Sequence, residues 1–188
     1  MNRTIIDQLE DTPIVAAIKD DNGLEKCLTS SSQVVFVLYG DICNIGGIVK
    51  RLKDHGKTVM VHLDLVEGLE AKSVSVKFLK ENTLLDGIIS TKIAVIKAAK
   101  KQGLATVMRF FALDSMSLEG IKKLVEPDLI DFIEILPGVA PKIIGKLVAE
   151  IDIPLIAGGL IADKEDVIGV LQSGAIAIST TNQKVWEM

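Results

Sequence analysis

Short β-branched runs alternate with stretches of helical periodicity from residue 13 to the end of the chain. That rhythm reads as repeated βα units around a parallel sheet. Strands are expected at 13–18 (PIVAAI), 34–39 (VVFVLY), 58–63 (TVMVHL), 86–90 (DGIIS), 105–111 (ATVMRFF), 131–136 (DFIEIL), 154–157 (PLIA) and 174–179 (GAIAIS). Helices are expected near 23–29, 45–55, 74–80, 92–102 and 115–125, from Pro141 onward, and at 163–172. Gly103 suits a helix C-cap, and Pro141 suits a first helical position. Eight strands with seven full helices favour a compact, closed (β/α)8 barrel of the TIM type. An open flavodoxin-like sheet is the alternative. The last helix of the barrel is truncated, because only residues 182–188 follow the eighth strand.

Composition agrees with this architecture. A length of 188 residues suits one domain, expected to span residues 1–188 with no linker or repeat. Hydrophobic residues make up 48% of the chain but aromatics only 4%, so Ile, Val, Leu and Ala must build the core. A parallel sheet covered by helices has that make-up. No apolar run is long enough to span a membrane, and the polar start MNRTIIDQLEDT is no signal peptide, so a cytoplasmic protein is expected. Cys27 and Cys43 read as reduced thiols rather than as a zinc site or disulfide framework. Neither metal nor cofactor is expected. A net charge of −4 exerts no global pull on nucleic acid, so any such contact requires a local basic patch.

Functional residues of a barrel sit at the C-terminal ends of its strands. Here those ends carry Lys19; His62 and Asp64; Lys92; Arg109; Glu134 and then Gly138; Gly158 and Gly159; Ser179 and Thr180. Gly158 and Gly159 allow close backbone approach, and Ser179 and Thr180 add hydroxyls and amides. Turns after the seventh and eighth strands hold phosphate in many barrels. The competing reading gives these residues only tight turns. His62 and Asp64, two apart on one strand, are expected on one face. Arg109 and Glu134 lie on neighbouring strands in very apolar runs, placed to pair in the barrel mouth as ligand contacts or as an internal salt bridge. Lys19 and Lys92 suit an anionic ligand better than Schiff-base chemistry. Basic residues also gather on outer helices, among them Lys50, Arg51 and Lys53, and Lys142 and Lys146. No aromatic-rich RNA-binding motif is present.

Six of these segments carry a resemblance: PIVAAIKD, HLDLVEGL, DGIISTK, RFFALDS, EILPGV and AGGLI. Together, in order and at consecutive strand ends, they resemble the glycerol uptake operon antiterminator regulatory proteins of Gram-positive bacteria. The resemblance implies a barrel that is not an enzyme, responds to glycerol 3-phosphate and binds the leader mRNA of glycerol-metabolism operons. It makes Lys19, His62, Asp64, Lys92, Arg109 and Glu134 candidates for the glycerol moiety and the pocket. Gly138, Gly158, Gly159, Ser179 and Thr180 become candidates for the phosphate. RNA contact then falls to the helix of Lys50, Arg51 and Lys53 or that of Lys142 and Lys146, with a homodimer uniting two modest patches. The competing function is a small barrel enzyme acting on a phosphorylated substrate, an isomerase, aldolase or prenyl-transferring synthase. His62, Asp64, Lys92 and Glu134 suffice for proton transfer.

Overall fold

Strands buried on both faces need few residues and no polar alternation, and this chain builds them from Val, Ile and Ala. The computed structural model describes residues 3–188. Its strands are β1 (Ile14–Ile18), β2 (Val34–Val37), β3 (Thr58–His62), β4 (Gly87–Ser90), β5 (Ala105–Phe111), β6 (Phe132–Leu136), β7 (Leu155–Gly158) and β8 (Ala177–Thr180). They pair in parallel and in chain order, and β8 returns to β1 with Ile14 opposite Ile178 and Ala16 opposite Thr180. That closure makes a barrel and rules out the open sheet.

Between the strands run α2 to α8: Asp21–Thr29, Ile45–Asp54, Ser73–Asn82, Ile93–Lys101, Ser115–Leu124, Pro141–Glu150 and Lys164–Gln172. Three of the loops that lead from strand to helix end on an aspartate N-cap. Asp20 accepts from the Gly23 amide (2.7 Å), Asp114 from Ser117 (2.7 Å) and Asp163 from Asp166 (2.9 Å). Each cap satisfies an orphan donor and stabilises its helix by about 1 kcal/mol. The loops they terminate are thereby held at the C-terminal face, where the strand ends open.

Side-chain alternation divides the core in two. Ala16, Val35, Val61 and Ile133 face outward against the helices, while Val15, Phe36, Met60 and Phe132 fill the barrel. A preceding helix, α1 (Arg3–Asp11), was not visible as part of the βα rhythm. Its Ile5 and Leu9 are buried and join the interior cluster, so α1 plugs the N-terminal end of the barrel. Thr58 Oγ1 donates to Gln8 Oε1 (2.8 Å) and ties the plug to β3. At the other terminus, a 3₁₀ turn (Val185–Glu187) stands where the eighth helix would be. Buried Trp186 fills the space, with Nε1 donating to the Thr180 carbonyl (2.8 Å).

Boundaries differ from expectation at three places that matter. β2 ends at Val37 rather than residue 39, β3 ends at His62 and passes into a 3₁₀ turn (Leu63–Leu65), and β8 begins at Ala177 rather than residue 174. Leu9 tests the plug: Leu9→Ala should cost roughly 2–5 kcal/mol by opening a cavity at the barrel base. Urea denaturation measures it, and a loss below about 1 kcal/mol would mean that α1 does not seal the core.

Candidate functional site

Arg109 on β5 lies directly opposite Glu134 on β6 in the strand register. Its Nε donates to Glu134 Oε2 at 2.5 Å, and Ser179 Oγ on β8 donates to Oε1 at 2.5 Å. The two charged residues are 8% and 1% exposed. A carboxylate taken this far from water needs both oxygens satisfied, and a guanidinium on one with a hydroxyl on the other achieves that. Gly158 serves the same network. A Cβ there would stand 2.5 Å from Ser179 Oγ and 2.7 Å from Glu134 Oε1, so the glycine makes room for the carboxylate.

A cavity of about 480 Å³ opens above this network at the C-terminal face. Arg109, Glu134 and Ser179 line it with Leu38 and Leu136, and its wall is formed by residues 159–162 and 180–182. Gly159 and Leu160 take consecutive left-handed conformations, with φ of +76° and +62°. Glycine adopts this at little cost, but for leucine it stores strain of about 1–3 kcal/mol. Leu160 is nevertheless held there with its side chain 75% exposed. The Leu160 and Thr181 amides have no hydrogen-bond acceptor among the described residues. Among the described residues the one cationic side chain lining the cavity, Arg109, is already paired, so an anion here would rest on backbone N–H groups.

The remaining candidates are distributed differently from expectation. Thr180 Oγ1 donates to the Ile161 carbonyl (3.0 Å) and accepts from the Asn182 amide (3.1 Å), which ties the two turns together. Gly138 donates its amide to the carbonyls of Gly158 (2.6 Å) and Gly159 (3.2 Å) and so keeps no N–H for a phosphate. Asp64 is not on the strand beside His62, because β3 stops at His62 and a 3₁₀ turn follows. Its carboxylate accepts from Ser90 Oγ (2.7 Å), the Thr91 amide (2.8 Å) and Thr91 Oγ1 (2.8 Å). Burial alone would raise its pKa, but those bonds and the nearby His62 outweigh it and hold the group below its ordinary value. Asp64 thus fastens β3 to β4, and with Lys92 it lines a separate cavity of about 340 Å³. Lys19 lines a third cavity, beside the mouth.

His62 is 3% exposed, and its Nδ1 has no hydrogen-bond partner among the described residues. Burial, reinforced by the Arg109 charge and only partly opposed by Asp64, brings its pKa down to about 4. The imidazole is therefore neutral near pH 7. The basic helix α3 is also not what its sequence suggests. Lys50 pairs with Asp54 (2.5 Å), Arg51 with Glu25 (2.6 Å) and Lys53 with Asp86 (2.7 Å), so its cations are locally neutralised. Sequence reading missed Leu160, Thr181 and Asn182, whose only signal was adjacency to the Gly158–Gly159 and Ser179–Thr180 pairs.

His62 makes stability depend on pH. Between its ordinary value of 6.5 and the folded value of about 4, the unfolded chain binds a proton that the folded chain does not. This contribution is complete above pH 6.5 and is lost as pH falls toward 4, by roughly 3 kcal/mol. In urea denaturation at pH 4.5 and 7.5, His62→Gln should shrink the acid loss. Equal losses in both proteins would show that His62 carries none of it.

A family model described as glycerol-3-phosphate responsive antiterminator matches residues 14–186. An Escherichia coli K12 protein, the uncharacterized protein YgcP, is 45% identical over 180 residues, covering 96% of this chain and 94% of its own. The glycerol uptake operon antiterminator regulatory protein of Listeria monocytogenes superposes with a TM-score of 0.89 at 34% identity, over 94% of this chain and 95% of that one. A glycerol uptake operon antiterminator-related protein of Thermotoga maritima gives 0.82 at 38% identity, over 93% and 98%. The match runs through every strand of the barrel and both turns of the mouth, and the chain belongs to the glycerol-3-phosphate responsive antiterminator family.

Proposed function

We propose that the protein is a cytoplasmic antiterminator that binds leader mRNA of glycerol-metabolism operons when glycerol 3-phosphate occupies the barrel mouth. The observation that carries this reading is the mouth cavity itself. At about 480 Å³ it has the size of a small-metabolite site, and it is walled by the turns after β7 and β8 in a family described by its response to glycerol 3-phosphate. In this reading the phosphate rests on the turn amides, with Gly159 giving the close approach. The glycerol hydroxyls meet Glu134, Arg109 and Ser179.

Binding without chemistry is supported by the state of the polar groups. Glu134 has both oxygens engaged by Arg109 and Ser179, which suits a hydrogen-bonding floor better than a general base. No lysine lines the mouth cavity among the described residues, so an aldolase-type amine nucleophile is not at hand there. His62 lies outside that lining, and Asp64 is held by the start of the β4–α5 loop.

Glycerol 3-phosphate can promote RNA binding only by preferring the RNA-competent state, here by ordering the turns it touches. A homodimer would present two RNA-binding patches and raise the effective affinity. The test is a filter-binding titration of a glycerol-operon leader RNA, with and without glycerol 3-phosphate, over a salt series. Retention that requires the ligand and weakens steeply with salt is expected. No retention at low salt with saturating ligand, together with turnover of a phosphorylated triose, would instead make the protein an enzyme.

A further inference from the structure

Many basic side chains of the outer helices are already neutralised by a carboxylate. Besides the three pairs on α3, Lys72 pairs with Glu70, Lys77 with Glu81 (3.7 Å), Lys97 with Glu126 (3.3 Å) and Lys100 with Asp131 (2.7 Å). Lys142 and Lys146 on α7 have no carboxylate partner among the described residues, and neither do Lys19, Lys26 and Lys184, which together line one cavity. These last three come from the end of β1, from α2 and from the segment after β8, and converge on one open groove of about 650 Å³ beside the mouth. Lys26 Nζ crosses the groove to donate to Gln183 Oε1 (2.6 Å). Asp20 and Glu187 also line it, but Asp20 is turned onto the Gly23 amide as the cap of α2. The groove is thus net positive on a chain whose total charge is −4.

Its second property is its wall. Thr181 and Asn182 line both the groove and the mouth cavity, so the turn after β8 has one face toward each. Asn182 joins the two sides. Its Nδ2 donates to the Ala162 carbonyl (2.9 Å) in the mouth turn, and its Oδ1 accepts from the Lys184 amide (3.2 Å) in the groove. A ligand that orders the β7 and β8 turns therefore also fixes the backbone on which Lys184 is mounted. On the antiterminator reading above, we propose that this groove carries the RNA sugar–phosphate backbone on Lys19, Lys26 and Lys184, and that Asn182 conveys effector occupancy to it. Several separate cations with amide and hydroxyl groups between them suit successive phosphates of one strand, and such contacts position the RNA rather than read its bases. Lys142 and Lys146 of α7 lie outside the lining of this groove and serve as the comparison.

The experiment compares Lys26→Gln/Lys184→Gln with Lys142→Gln/Lys146→Gln by filter binding to the leader RNA at saturating glycerol 3-phosphate. Calorimetry with glycerol 3-phosphate, run on each protein, reports folding and effector affinity. The groove variant should lose at least about tenfold in RNA affinity, and its log K against log salt slope should flatten by about 1.4, two single-strand phosphate contacts. Effector affinity should stay within about twofold, and Lys26→Arg/Lys184→Arg should retain RNA binding, since charge is what matters. Unchanged affinity and slope in the groove variant, or a loss confined to the α7 variant, would overturn the proposal. Failure of the unaltered protein to retain RNA would instead fail the antiterminator reading, and that arm shows it separately.

Discussion

Glu134 is 1% exposed on an inner strand face and retains its place only because Arg109 and Ser179 each donate to one of its oxygens. That requirement reaches into three strands at once. β5 must place Arg109 opposite it, β8 must point Ser179 inward, and β7 must carry glycine at 158 so that nothing crowds the carboxylate. Removing one partner of such a buried pair strands the other charge, at a cost of about 3–5 kcal/mol. Glu134, Arg109 and Ser179 form part of the lining of the mouth cavity, so the interaction that organises the barrel also sets its polar floor.

Above that floor the site is built from backbone more than from side chains. Ser179 and Thr180 have their hydroxyls engaged by Glu134 and by the Ile161 carbonyl, and Gly138 has its amide bound to the β7 turn. Among the described residues, the Leu160 and Thr181 amides remain without an acceptor, and Leu160 is an exposed leucine held at φ +62°. Strain kept at a cavity wall is consistent with a segment shaped for a ligand rather than for stability. An anion there would meet amides fixed by the Asp163-capped entry to α8 and by the Thr180–Asn182 link.

The strand rhythm was legible because β-branched runs of buried parallel strands differ sharply from the amphipathic helices between them. The Arg109–Glu134 pair was legible too, because two charges in very apolar runs on neighbouring strands need each other, whereas period-two counting served less well. It failed at Asp64, where the strand gives way to a 3₁₀ turn that leaves no mark in a two-residue alternation. The plug α1 escaped notice because its burial rests on Ile5 and Leu9 in an otherwise polar stretch before the rhythm begins. The basic helix misled for a further reason. Arg51 and Lys53 meet Glu25 and Asp86, partners far apart in the chain that only the packing of neighbouring βα units brings near. Site residues at strand ends were therefore partly visible, while the division into a mouth, a groove and an Asp64–Lys92 cavity depends on loops whose course is tertiary.

On the antiterminator reading the effector sits on the β7 and β8 turns above the Arg109–Glu134–Ser179 floor. A crystal structure with glycerol 3-phosphate tests that placement. The phosphate is expected against the backbone of residues 159–161 and 181, with at least one glycerol hydroxyl within hydrogen-bond reach of Glu134 or Arg109. A ligand bound instead in the Asp64–Lys92 cavity, or in the groove of Lys19 and Lys184 with the mouth unchanged, would contradict it.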